Sequence, residues 1–284
     1  MTYETWYTQY LQTYKRDLAP KTRESYDQVT AAYILPACGG LDLEQLTPEH
    51  VQAAINAAAD HGGRQAQVVY SLMHAVLRRA CRSWLIPRNP ADAIDKPGHL
   101  QEEGKALTAA DYADAAPLID EDLALCLALR AGLRRGEIAG LQWGDVDLAA
   151  RTLRVRRQRC RVRGDVITKT PKSAAGVRDV PIAPELLALL KAEYKLAPTA
   201  WVVDLAPEAI TRRWARMQRS ALHLQEAYRL HDLRHTYGSH LVLDGVNLRV
   251  VQYLMGHSSI SITMKVYSHC RADDAAQELR RVYG

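Results

Sequence analysis

Hydrophobic periodicity shifts to period two over one stretch of this chain and then returns, and that interruption confines the fold. Over residues 1–98, and again from Pro184 onward, apolar residues recur at helical spacing; between 152 and 182 they alternate at period two. The pattern predicts a mostly α protein with a small antiparallel β-sheet in its second half. Trp6, Tyr7, Tyr10, Leu11 and Tyr14 fall at i, i+3, i+4 spacing and form one face of a first helix. A loop at Ala19-Pro20-Lys21-Thr22 leads into a second helix with Tyr26, Val29 and Tyr33, broken at Cys38-Gly39-Gly40. Thr47-Pro48-Glu49 is a helix start, with Thr as cap, Pro in the first position and Glu at the positive end of the dipole. That helix carries Val51, Ala54, Ile55 and Ala58 and stops at His61-Gly62-Gly63. A longer helix follows from Arg64 to Trp84, with Val68, Leu72, Ala75, Val76 and Ala80 expected inward.

Pro87, Asn89-Pro90, Pro97-Gly98 and Gly104, mixed with charged residues, read as linker. We place the linker proper at 99–106, between a helical domain over 1–98 and a second domain over 107–284. Thr108-Ala109-Ala110-Asp111 suits a helix start, and an apolar helix around Leu123 and Leu127 ends at Gly132. In the period-two stretch Leu153 and Val155 alternate with Arg154 and Arg156; Val166-Ile167 and Val180-Pro181-Ile182 follow. Two or three short antiparallel strands are expected, with turns at Arg163-Gly164-Asp165 and Lys172 to Gly176.

At 284 residues and 48% hydrophobic content the chain suits two modest soluble domains. No apolar run approaches the ~18 residues that span a bilayer, and the first residues lack the basic and apolar regions of a secretory signal. Five scattered cysteines, none in a CxxC pair, point to a reducing cytoplasm and away from a zinc site or disulfide framework. The net charge of +5 is mild, but residues 151–181 hold ten Lys or Arg against two acids, Asp165 and Asp179. A surplus concentrated in this way attracts a polyanion. Phe is absent, against fourteen Tyr and five Trp.

Two arginine segments suit phosphate chemistry. Arginine keeps its proton and presents a planar fork that bonds two phosphate oxygens at once. Arg134 lies in Gly132-Leu133-Arg134-Arg135-Gly136-Glu137; by itself it also reads as a surface residue paired with Glu137 one turn away. His231 and Arg234, in His231-Asp232-Leu233-Arg234-His235, share a helix face at i, i+3. His231 and His235 at i, i+4 raise a metal site as rival, but no Glu follows His231 and no Cys lies nearby, so we expect no metal. His235 and His240 read as packing or supporting residues. His257 sits in Leu254-Met255-Gly256-His257-Ser258, where the glycine permits a tight turn, and Tyr267 follows ten residues later in Tyr267-Ser268-His269. Tyr253 and Tyr283 are the other tyrosines of this region.

In this order, the segments 131–147, 231–241 and 254–269 resemble the tyrosine recombinase (phage integrase) family. The likeness is strong there, good around 169–182 and weak over 1–98, where Arg88-Asn89-Pro90 is similar to the end of the family's helical core-binding domain. The resemblance implies a two-domain clamp on DNA, with Tyr267 as nucleophile and Arg134 and Arg234 gripping the scissile phosphate. It implies His231 as acceptor of the phenolic proton, His257 as a further phosphate donor and Lys169 as general acid for the leaving 5′-oxygen. Lys172 is the runner-up for that proton; Glu137 buttresses the site. Lys21, Thr22, Arg64 and Lys172 are candidate DNA-backbone contacts. The implied partners are double-stranded DNA with a specific core site and, in synapsis, a homo-tetramer; no cofactor, metal, ATP or membrane is implied. A weak apolar stripe of Ala275, Ala276, Leu279 and Val282 suits either packing on its own domain or, as the family's tetramers favour, docking onto a neighbouring protomer. The extra N-terminal arm-binding domain of some phage integrases is not expected. Two other readings stay open: an integrase-like DNA-binding protein without catalysis, and an enzyme similar to type IB topoisomerases.

Overall fold

Thr2 accepts the Thr5 N–H and opens α1 (Tyr3–Tyr14) in a computed structural model that describes residues 1–98, 104–171 and 173–260. The chain divides into two compact units, Met1–Glu102 and Glu103–Gly284. In the first, α1 buries Tyr3, Trp6, Tyr7, Tyr10 and Leu11, and the Trp6 indole donates to the Val76 carbonyl at 3.0 Å. Tyr14, expected on the same face, stays 38% exposed. α2 (Pro20–Val29) runs into a π-helical turn, Thr30–Ile34, and then α3 (Leu35–Cys38). Pro36 has no N–H to give and would crowd an α-helical carbonyl behind it; widening the turn, with Leu35 N–H reaching Thr30 O, accommodates it.

α4 (Pro48–Ala59) starts at Thr47-Pro48 and buries Val51, Ala54, Ile55 and Ala58, as its spacing predicts. α5 (Gly63–Arg82) corrects the expected inward stripe. Leu72, Val76 and Ala80 are buried, but Ala75 is exposed and Val68 only partly covered; Ala66, Val69, Met73 and Leu77 complete the core face. The stretch read as linker is also corrected at its start. Asn89, Pro90 and Ala91 are buried in a 3-10 turn, and the Asn89 side chain accepts the Ala91 N–H at 3.0 Å.

The second unit is built around α7 (Leu123–Arg130), in which every residue from Leu123 to Leu129 is buried. A helix apolar on all sides belongs at the centre of a core. Thr108 caps α6 (Ala109–Ile119) through the Asp111 N–H, and Asp122 caps α7 through two N–H groups. After α8 (Arg135–Gly140) come β1 (Val146–Asp147), β2 (Thr152–Val155), β3 (Gln158–Val162), β4 (Asp165–Lys169) and β5 (Arg178–Pro181). They form two sheets where one small sheet was expected: β1-β2-β5 and the hairpin β3-β4. The hairpin, turning at Arg163-Gly164, is nested inside the β2–β5 pair, whose register joins Thr152 to Pro181 and Val155 to Arg178. Leu153 and Val155 point into the core, as the alternation requires. α9 (Pro184–Ala192), α10 (Pro207–Ser220), α11 (Leu230–Leu243) and α12 (Leu248–Met255) follow. No helix among the described residues is long and apolar enough to cross a membrane.

The exit from α7 sets up the site. Gly132 adopts φ +61°, and Leu133 N–H turns back to Leu127 O at 3.2 Å. A Cβ at 132 would lie 2.4 Å from the Tyr237 ring of α11. Gly132→Ala therefore combines a left-handed backbone costing about 1–2 kcal/mol with overpacking of about 1–3 kcal/mol. We expect the thermal midpoint of the second unit to fall by roughly 4–8 °C or more, read by calorimetry on the full chain.

Candidate functional site

The last carbonyls of a helix have no partner within it, and the C-terminal end of α12 satisfies its own in an unusual way. Gly256, at φ +57°, turns the chain so that its N–H returns to Gln252 and Tyr253. The next three carbonyls each accept from a different arginine. Arg178 Nε donates to Leu254 O at 2.6 Å, Arg234 Nη2 to Met255 O, and Arg134 Nη2 to Gly256 O at 2.9 Å. Arg234 also donates to the Gly132 carbonyl, so it fastens the end of α12 to the exit of α7. Three cations at the negative end of a helix dipole are favourably placed.

Each arginine is delivered by local structure. Arg134 precedes the first turn of α8, where Glu137 accepts both its backbone N–H (2.8 Å) and its Nη1 (2.9 Å). The Arg134 side chain is still 34% exposed, leaving an edge open to solvent. Arg135 points away, to Thr211 of α10. Arg234 is buried on α11. Arg178, on β5, is also buried and grips Glu137 with two bonds, 3.1 Å and 3.0 Å. Burial pushes the Glu137 carboxyl up, but Arg178 first, then Arg234 and Arg134, outweigh it and hold its pKa at about 2.

The histidines lie in the same field. His257 follows Gly256 directly and is buried. Desolvation, then Arg234 and Arg134, lower its pKa to about 3. His231, on α11, keeps one side open to solvent. Crowding by protein on the other side, followed by His235, Arg234 and Arg134, lowers it to about 4. Both imidazoles are therefore neutral near pH 7, and a neutral imidazole carries one acceptor nitrogen. His235 meets His231 edge-on at 4.8 Å, and among the described residues its buried Nδ1 has no hydrogen-bond partner. His240 packs edge-on against Tyr112. Among the described residues no group of three His, Cys, Asp or Glu is gathered as a metal site.

The structure thus brings together Arg134, Arg234, His231 and His257. It does not bring Lys169 into bonding contact with them. Lys169 ends β4 opposite Gln158 and, among the described residues, its ammonium has no hydrogen-bond or ion-pair partner. It is linked to α8 through the neighbouring strand, where Arg159 donates to Ala139 O at 3.2 Å. Tyr267, Lys172 and the 275–282 stripe lie outside the described residues. In the first unit, Lys21 pairs with Glu24 at 2.7 Å and Arg64 bonds Gln67 at 3.4 Å; Thr22 lies in the first turn of α2. The residue that sequence reasoning missed is Arg178. Its signal lay in the alternation itself, since Arg178 shares the inward phase of Val180 on β5 and of Ile182 just beyond it.

Residues 100–273 match the model of the phage integrase family, and residues 2–58 match that of the phage integrase N-terminal SAM-like domain. The chain belongs to the phage integrase family. Among its relatives is a tyrosine recombinase XerC-like protein of Caldanaerobacter subterraneus subsp. tengcongensis, 33% identical over 171 residues, which is 50% of this chain and 44% of that protein. The chain therefore matches less than half the length of that relative. A putative prophage phiRv2 integrase of Mycobacterium tuberculosis is 28% identical over 277 residues, 90% of this chain and 71% of the relative. The fold is that of a solved Tn1549 transposon integrase in complex with transposon right end DNA, with a TM-score of 0.79, 21% identity and full coverage of both chains.

Two expectations follow for this integrase-family chain. Arg178→Met leaves the buried Glu137 with only one of its two guanidinium partners, a loss of the order of 3–5 kcal/mol. Arg178→Lys keeps the charge but not the fork and should recover part of it; chemical denaturation measures both. Acid stability should change in two steps. Imidazoles lowered in the folded state take up protons more readily when unfolded, so their contribution is complete above the ordinary histidine value of 6.5 and declines as pH falls toward 4 and 3. Glu137 contributes above the ordinary carboxylate value of 4.5 and loses that contribution as pH falls through about 2. His257→Gln should flatten the upper step of a stability–pH curve and leave the lower one.

Proposed function

We propose that the chain is a site-specific DNA recombinase that cleaves and rejoins duplex DNA through Tyr267. The observation that carries this reading is the convergence of Arg134 and Arg234 on adjoining carbonyls beside His257, with His231 in the same positive field. Two guanidiniums from separate segments suit one phosphate that gains charge during attack on phosphorus. In the proposed reaction the Tyr267 oxygen attacks the scissile phosphorus and its proton passes to His231. The bond to the 5′-oxygen breaks, and Lys169 protonates that leaving oxygen to give a 5′-hydroxyl. The product is a 3′-phosphotyrosyl link, and attack by a partner 5′-hydroxyl reverses the sequence. The bond energy is held in the covalent link, so the balance calls for neither ATP nor an external acceptor.

His257 would donate to a phosphate oxygen, and Glu137 would hold Arg134 in register. The Met1–Glu102 unit, with Lys21, Thr22 and Arg64, would contact the DNA backbone, while the second unit carries the chemistry. Double-stranded DNA with a specific core site is the proposed partner, and a homo-tetramer is the proposed synaptic assembly.

A nicked suicide duplex carrying the junctions that flank the chain's own gene tests the reading. The wild type should give a covalent protein–DNA adduct, and Tyr267→Phe none. Arg134→Gln should slow adduct formation by about 10²–10³-fold, the scale of losing one preorganised donor, while retaining most DNA affinity. Duplex binding by the wild type without adduct on any junction would instead mark a DNA-binding protein that lacks catalysis.

A further inference from the structure

We propose that a groove on the Met1–Glu102 unit, between α1 and α5, is a phosphate-binding subsite for the backbone of duplex DNA. It rests on the reading that this chain binds DNA, and it adds a site other than Lys21, Thr22 and Arg64. The groove has a volume of about 410 Å³ and is lined by Tyr10, Tyr14, Lys15, Arg78, Arg79 and Arg82, with His74 at one side. No lining residue is acidic. Positions 78, 79 and 82 lie on one helical face of α5, so three guanidiniums are forced close together. Among the described residues, none of Lys15, Arg78, Arg79 and Arg82 has an ion-pair partner. Asp92, outside the lining, shares a hydrogen bond with His74 Nε2 at 2.9 Å and accepts another from Asn89 at 3.3 Å.

Arg79 is the centre of the groove. Its guanidinium carbon lies 3.8 Å from the centroid of the Tyr14 ring, a cation–π stack that orients the fork. Its Nε is buried without a hydrogen-bond partner among the described residues. A buried donor on a permanent cation, surrounded by like charge, calls for an anion. Lys21 and Arg64 differ in kind, because each already bonds a neighbour on its own helix. The ligand must be anionic, reach several cations at once and tolerate an aromatic wall. A chain of phosphodiesters meets all three conditions, and the fixed forks suit its paired oxygens.

The test uses the full chain and a duplex of arbitrary sequence, with affinity measured as a function of salt. Every phosphate that a variant no longer neutralises should make the logarithmic salt slope shallower by about one. The triple variant Arg78→Gln/Arg79→Gln/Arg82→Gln should therefore lose roughly two to three from the slope and weaken binding to unrelated sequences alike. Arg79→Lys should keep most of the slope. Should the triple variant fail to fold by circular dichroism, the exposed single changes Arg78→Gln and Arg82→Gln serve, each expected to remove about one. Slope and affinity equal to wild type in the folded variants would overturn the subsite. The adduct assay separates this result from the recombinase reading. Adducts with an unchanged slope sink the groove alone, whereas a wild type without adducts but with the groove-dependent slope sinks the recombinase reading alone.

Discussion

Three arginines holding three successive carbonyls, Leu254, Met255 and Gly256, are the interaction on which the second unit's site depends. The arms come from β5, α11 and the start of α8, elements separated by as much as 100 residues of chain. None of them alone defines the place where a phosphate would sit; their common point is the end of α12. Because the carbonyls fix the guanidiniums before any ligand arrives, the donors need little reorganisation when a charge develops nearby. The same bonds hold Gly256 in its left-handed turn and so determine where His257 points. A helix terminus thereby serves as the fixture that aligns groups from the rest of the unit.

Gathering cations carries a cost, and Glu137 offsets it. One buried carboxylate bonded by Arg178 and Arg134 supplies the nearest negative charge, and its pKa of about 2 keeps it ionised throughout the physiological range. It does not neutralise both guanidiniums. The residual positive field is felt by His231 and His257, both pushed well below the ordinary imidazole value, with desolvation leading and the arginines adding to it. Charged imidazoles would repel the arginines and have no lone pair to accept a proton. Neutral ones can accept or donate, as a phenol and a phosphate oxygen respectively require. The charge that suits the arginines to an anion is thus also what keeps the histidines in a useful protonation state.

How much of this was legible in the sequence varied with the kind of signal. Local signals carried well: the Thr47-Pro48 and Thr108 starts, the α1 stripe from Trp6 to Leu11, and the alternation of Leu153 and Val155 all appear where local chemistry puts them. The α5 stripe carried only in part: Leu72, Val76 and Ala80 are buried, but Ala75 and Val68 have the right hydropathy and lie off the core face, which takes Val69, Met73 and Leu77 instead. Hydropathy selects a face only to within a residue when alanines and valines occur all round the helix. Asn89 and Pro90 look like linker by composition, yet they are buried in the first core, since Asn and Pro are as suited to a tight capped turn as to a flexible segment. The nesting of β3-β4 within β2-β5 is a long-range property that period-two alternation does not encode. The motif arginines and histidines stood out through their order along the chain, whereas Arg178 hid in a basic run where most charges face solvent. Only its phase, shared with Val180 and Ile182, separates it from Arg154 and Arg156.

Pairing sorts the cations of this protein more sharply than position does. Arg178 is committed to the fold, with its donors spread over Glu137, Leu254 O and Gly176 O. Arg134 is divided, with bonds to Glu137 and Gly256 O and an edge still open. Lys169 and the guanidiniums lining the α1–α5 groove have no ion-pair partner among the described residues. A folded chain gains nothing from crowding like charges without a counter-charge, so such residues are the ones whose compensation comes from outside the chain. On that reasoning the second unit would use cations both to build its site and to bind, whereas the groove of the first unit would use them only to bind. A salt-dependent grip without chemistry in one unit and preorganised donors in the other would be two physical solutions to holding the same polyanion.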